Sequence, residues 1–316
     1  MGQKDLAAKR FFGKKDVFAD LVNNYFFKGR KVVNADDLLD RDTEAVLANL
    51  ESDRLKAKYR DLFKQVAIKE ADKATYVLIG IENQAEVDYT MPIRVLLYDA
   101  LAYEQQRNEV VSKNKNKSMG YKTEHAEGTF KGHCFRPVIT LVIYLGSGSW
   151  RGPRSLYDSL CSDIPHELSG YINNWQVPII EPVKMQDDDF NSFTTELGLV
   201  MKFLKYCHDK EGLLEVVRKN VGFANVSGEA LGIMNSVSKH KLKLIGNGED
   251  GGYNMCKAID DLIRDSVIEG RNEGRAEEKQ KIAINLKKMG MDIDNIATAV
   301  NASKELVGKW LSSAPV

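Results

Sequence analysis

The chain has 316 residues, enough to bury a substantial core and to hold one main domain with a small extension. Its 45 Lys and Arg balance 45 Asp and Glu, so a formal net charge of zero provides no global attraction to nucleic acid or to a membrane. No apolar run approaches the roughly twenty residues of a membrane span, and Cys134, Cys161, Cys207 and Cys256 lack the spacing of a zinc site or a disulfide framework.

The N-terminus is polar and basic without an apolar signal core, and Leu6 stands where a myristoylation motif wants Ser or Thr. The expected setting is therefore cytoplasmic and reducing. Residues 14–28 place Val17, Phe18, Leu21, Val22, Tyr25 and Phe26 at amphipathic-helix spacing, and a second helix is expected over 42–57. Residues 61–68 and 75–84 are rich in β-branched and aromatic residues and flank the polar segment 69–73, which predicts an antiparallel hairpin. A helix over about 91–111, a long loop over 112–136 and a strand over 137–144 complete an expected three-layer α/β core. Trp150, in the turn region 147–153, reads as a plug of the fold rather than a base-stacking platform. The prolines of 177–183 mark an edge strand.

Farther on, Asp187, Asp188 and Asp189 precede an apolar-periodic stretch and read as a charged helix start, not a metal site. Helices are expected from Phe190 to about Lys219. The glycine-rich run 246–252 marks a break, so the division falls into 1–245 and a helical extension over 253–316. That extension reads as a long helix from Tyr253 to about Met289, interrupted at Gly270 and Gly274, which projects or packs on a second copy as a homo-oligomer. Its end resembles a helix-turn-helix, with small Ala297 where two helices touch and Ser303 as an N-cap. Lys304 and Lys309 are its only basic residues near the presumed recognition helix, so DNA contact and dimerisation both remain open readings. Basic residues also gather at Lys4, Lys9, Arg10, Lys14, Lys15, Lys28, Arg30 and Lys31, and from Arg107 to Lys131, where they would contact phosphates or simply be solvated. His125 and His133 lack a third ligand.

The chemistry concentrates at residues 59–98. If the hairpin turns near Asp72, Asp61 lies beside Glu82, Asn83 and Gln84. Side chains alternate along a strand, so Glu82 and Gln84 share a face while Asn83 points to the other. The second strand is otherwise apolar, as in a strand buried on both faces. A carboxylate buried there needs compensation, from a hard divalent cation or from a structural ion pair with Arg94 or Lys64. Arg60, next to Asp61, points to the other face, as a structural salt-bridge partner would.

Three runs then resemble one family. They are Tyr59-Arg60-Asp61-Leu62 with Ile81-Glu82-Asn83-Gln84 and Met91-Pro92-Ile93-Arg94, then Tyr144-Leu145-Gly146 with Trp150 to Ser155, and Glu269-Gly270-Arg271-Asn272-Glu273-Gly274-Arg275. Together they resemble the recombination-promoting nuclease and putative transposase family, a branch of the PD-(D/E)XK phosphodiesterases. The resemblance implies a restriction-endonuclease-like core that hydrolyses DNA phosphodiesters with one or two Mg²⁺ ions, or with Mn²⁺. It makes Asp61 and Glu82 the metal-binding acids, adds a backbone carbonyl near Asn83, and places Gln84 where many members carry lysine. Asp16 is a candidate third acid, or an ordinary helix-start residue. Arg94 and Tyr98, one helical turn apart, would support the site and touch phosphate. The alternative is a nucleic-acid-binding or regulatory protein on the same fold with a weakened site, because a glutamine lacks the charge of lysine.

Overall fold

The computed structural model describes residues 3–48, 55–70, 73–117, 133–161, 164–238 and 252–312. The chain forms two compact units, one holding the described residues up to 238 together with 252–255, the other those from Cys256 onward.

The first unit begins with α1 (Gln3–Gly13) and α2 (Lys15–Phe27), then β1 (Leu39–Asp40), β2 (Glu44–Ala48), β3 (Leu55–Tyr59), β4 (Leu62–Glu70) and β5 (Lys73–Gln84). There follow α3 (Met91–Lys117), β6 (Val138–Tyr144), α4 (His166–Ser169), β7 (Ile179–Ile180), α5 (Leu197–Tyr206), α6 (Lys210–Lys219) and α7 (Gly228–Val237). One mixed sheet runs in the order β1-β4-β5-β6-β7. The β4–β5 hairpin is antiparallel with Leu62 opposite Ile81, and β5, β6 and β7 are parallel. A parallel pair needs a crossover, and α3 supplies it between β5 and β6. The start of β4 and the ends of β5 and β6 therefore share one end of the sheet. In open α/β sheets that end is where ligands bind.

Face assignments follow from alternation. Leu78 of β5 joins Phe63, Ala102 and Val138 in one apolar cluster, so the even-numbered residues of β5 face α3. Met91 and Val95 of α3 pack with Val142, Tyr144, Trp150, Val177 and Ile179. On the other face, the Lys64 ammonium lies 5.6 Å from the Phe18 ring of α2. The result is an α/β arrangement of helices on both faces of a five-stranded sheet. As expected, Val77 to Asn83 is buried throughout, β7 is an edge strand, and Trp150 is a plug whose ring meets Tyr144 edge-on at 5.3 Å. The turn after β6 needs Gly146, because a Cβ there would stand 2.3 Å from the Tyr144 ring.

The helix expected over 42–57 is not formed. Its described parts are β2 and β3, an antiparallel pair with Glu44 opposite Tyr59, so strand pairing overrides the helical propensity of a Glu-, Ala- and Leu-rich segment. Residues 112–117 extend α3 instead of opening a loop, and residues 118–132, including His125, lie outside the described residues. Asp189 completes a capping box with Gln186, and Asp187 takes hydrogen bonds from Lys205 and Tyr206, so the acidic triplet does start a helical turn. The break expected at 246–252 lies outside the described residues up to 251.

The second unit comprises α8 (Met255–Lys288), α9 (Ile293–Val300) and α10 (Lys304–Ser312). Gly270 and Gly274 do not interrupt α8. Neither Gly270 nor Gly274 has neighbours a Cβ would meet, so the cost of each is mainly backbone entropy, which the long helix tolerates. Ala283, Ile296, Ala297, Val300 and Val307 form the unit's core, and Ser303 Oγ accepts from Leu306 N at 3.2 Å as an N-cap. Among the described residues no helix is long and apolar enough to cross a membrane.

Candidate active site

Glu82 sits two residues before the end of β5 and is 2% exposed. It faces α3, where Arg94 reaches it. Arg94 Nη2 donates to Glu82 Oε2 at 3.2 Å, and Nη1 donates to Asp88 Oδ2 at 2.7 Å. Asp88 in turn accepts from Thr90 N and Oγ1 at the start of α3. Tyr98, one turn along, accepts from Arg94 Nη2 at 3.4 Å. Of the two structural partners expected for Glu82, the structure selects Arg94, while Lys64 pairs with Asp40.

This arginine does not return Glu82 to ordinary acidity. Burial, followed by the negative charge of Asp61, pushes the carboxyl up to about 8 against the opposing pull of Arg94, the Asp61 N–H and Arg60. Burial and Glu82 likewise push the Tyr98 hydroxyl up.

Asp61 stands in a bend just before β4, so strict alternation does not govern it. Its N–H donates to Glu82 Oε1 at 3.3 Å, while its Oδ2 accepts from Asn83 N at 2.8 Å and Asn83 Nδ2 at 3.3 Å. The bend also sends Arg60 toward α3. There Arg60 Nη2 donates to Asp99 Oδ1 at 2.8 Å, and Asp99 also accepts from Thr140 Oγ1 and Trp175 Nε1. Gly80 makes room for this crossing, since a Cβ there would lie 3.1 Å from Arg60 Cδ. Arg60 is thus the structural salt bridge the sequence indicates.

The structure brings Asp61, Glu82, Asn83, Arg94 and Tyr98 to one end of the sheet. Gln84 ends β5 on the Glu82 face, where its backbone carbonyl accepts from Leu145 N at 2.8 Å, but its side chain makes no hydrogen bond among the described residues. Asn83, expected to point away, reaches Asp61 because the bend carries that carboxylate toward the Asn83 face. Asp16 is exposed in the first turn of α2, and among the described residues no group of three His, Cys, Asp or Glu assembles. The third acid is therefore absent from this cluster.

The negative charge of Asp61 acts on the buried Glu82 carboxyl, and Asn83 Oδ1 is buried without a hydrogen-bond partner. Both features place acceptors where a hard cation would offset charge, so the residues fit Mg²⁺ or Mn²⁺, with remaining ligands drawn from carbonyls, phosphate or water.

Sequence reasoning placed Lys9 only among basic residues that contact phosphates or are solvated, and missed that its Nζ lies 3.4 Å from Asp61 Oδ1. No local pattern links α1 to β4. It also missed Asp88, although an acid shortly before an arginine at a helix start was a usable signal.

A family model described as putative transposase, YhgA-like, matches residues 3–227. No curated protein and no solved structure matches the chain.

Proposed function

The chain belongs to the YhgA-like putative transposase family, and on that premise we propose that it is a metal-dependent DNA endonuclease of the PD-(D/E)XK type, acting in recombination or transposition. The observation that carries this reading is the carboxylate pair Asp61 and Glu82 at the sheet end, with Glu82 buried and its proton held by burial and by Asp61. Glu82 is buried in an otherwise apolar strand, where a bound cation would offset its charge beyond what Arg94 supplies.

Asp61, Glu82 and a carbonyl of Asn83 would hold Mg²⁺, with Mn²⁺ as a substitute. When bound, that ion polarises the phosphate and makes water a stronger nucleophile. In the reaction the water oxygen bonds to phosphorus as the bond to one ester oxygen breaks. The departing oxygen takes a proton and the water's own proton passes to solvent. Gln84, neutral and able both to donate and to accept, orients the water or a phosphate oxygen. The Arg94 guanidinium, fixed by Asp88 and Tyr98, neutralises phosphate charge beside Glu82. Residues 1–245 form the nuclease domain in this account, and 253–316 a helical extension through which copies associate.

Two observations favour a second reading, a DNA-binding or regulatory protein without turnover. Arg94 already pairs with Glu82, and no lysine stands at position 84. Incubating the purified chain with supercoiled plasmid in Mg²⁺, in Ca²⁺ and in chelator separates the two. The endonuclease reading expects nicked and linear products with Mg²⁺ and none with chelator. Retarded but intact plasmid under every condition would leave the binding reading in its place.

A further inference from the structure

Lys9 stands in α1, yet its ammonium approaches the acid at the start of β4. Nζ lies 3.4 Å from Asp61 Oδ1, and the two side chains are only 20% and 18% exposed. The opposite carboxylate oxygen is occupied by the Asn83 backbone and side-chain amides. Lys9 therefore engages the oxygen that those amides leave available.

Its position is set by packing. Ala8, Phe11 and Phe12 of α1 are fully buried, and Gly13 ends the helix against Leu62, where a Cβ would meet Leu62 Cδ2 at 3.3 Å. The neighbouring Lys4, Arg10 and Lys15 are exposed. The packing of α1 thus delivers one ammonium to one end of the sheet.

Resting on the hydrolytic reading above, we infer that Lys9 supplies the active site with the positive charge that Gln84 cannot. The two residues come from different directions, Gln84 from the end of β5 on the α3 face and Lys9 from α1. An ammonium offers three donors and no acceptor. One can hold Asp61 in orientation while another meets the attacking water or a phosphate oxygen, offsetting charge that grows in the transition state. Lys9 is thereby a catalytic residue of this chain, and the motif around Glu82 is completed from a distant segment.

The test uses the full chain as wild type, Lys9→Gln, Lys9→Arg and the double variant Lys9→Gln with Gln84→Lys. Single-turnover cleavage of a labelled duplex is measured at saturating Mg²⁺. Mn²⁺ affinity without DNA is measured by electron paramagnetic resonance, and folding by thermal melting. The expected result for Lys9→Gln is a rate loss of about 100-fold, with Mn²⁺ affinity equal or higher because a competing cation has left Asp61. Lys9→Arg retains part of the rate, and Gln84→Lys recovers at least about 10-fold in the Lys9→Gln background.

A purely structural pair would instead lower melting temperature and Mn²⁺ affinity together with the rate, and Gln84→Lys would recover nothing; that pattern overturns the inference. Wild-type cleavage with Lys9→Gln cutting equally fast overturns it alone, leaving the nuclease reading intact. A wild-type chain that cuts nothing refutes the nuclease reading and this inference with it.

Discussion

Glu82 sits in an environment that opposes its charged form. An unfolded chain would hold its proton with an ordinary value near 4.5, whereas the folded chain holds it up to about 8. Between those values the native state binds one more proton than the unfolded state, so stability falls as pH rises and levels off only above about 8. Without divalent cation, the chain is expected to lose on the order of 1 kcal/mol per pH unit across this window at this site. Glu82→Gln, which keeps the shape of the protonated acid, removes that slope; denaturant unfolding at pH 5, 6.5 and 8 measures it. Equal slopes in both proteins would show that Glu82 is not the group responsible. Strand alternation put Glu82 and Gln84 on one face, but it misplaced Asp61 and Arg60, since the bend turns Arg60 to the α3 face that Glu82 shares and Asp61 toward Asn83. The Asp61 contact with Asn83 was not legible, because it depends on a bend at 60–61 that no local pattern announces.

At the scale of elements, Asp99 is the joint of the fold. From α3 it accepts from Arg60 before β4, Thr140 of β6 and Trp175 before β7, and it is 2% exposed. Burial pushes its carboxyl up, opposed by Thr140, Arg60 and Trp175. Asp99→Ala would leave the buried Arg60 without its carboxylate and is expected to destabilise by about 3–5 kcal/mol, read from denaturant midpoints. A loss below about 1 kcal/mol would mean that the network relaxes around the gap. The turn after β6 makes a second case. Gly146→Ala forces a methyl into the packed Tyr144 ring and should cost about 1–3 kcal/mol in the same measurement. The strands of the hairpin, the crossover helix and the proline-marked edge were readable because composition and period agree there. Residues 42–57 were misread as helix because their Glu, Ala and Leu content favours one, while the pairing of Glu44 with Tyr59 is a non-local choice. Asp99 passed unnoticed for the same reason, since its three partners come from three other segments.

At the scale of the molecule, the helices from Cys256 onward carry a core of their own. Ile296 is fully buried among Ala283, Val300 and Val307, and Ile296→Ala should cost about 2–5 kcal/mol, seen as faster amide exchange in α9. Its helix-turn-helix pattern was legible from Ala297 and Ser303. In its last helix Lys304 pairs with Asp294 at 2.9 Å. The proposed chemistry lies in the first unit, where side chains of α1, α3, β5 and the bend before β4 meet around Asp61 and Glu82. Single-turnover cleavage of a labelled DNA duplex across Mg²⁺ concentration, comparing wild type with folded Asp61→Ala and Glu82→Ala, tests that assignment most directly. Mg²⁺-dependent cutting by the wild type and a loss of at least about 100-fold in each variant are the expected result. Cutting that persists in either variant would contradict it.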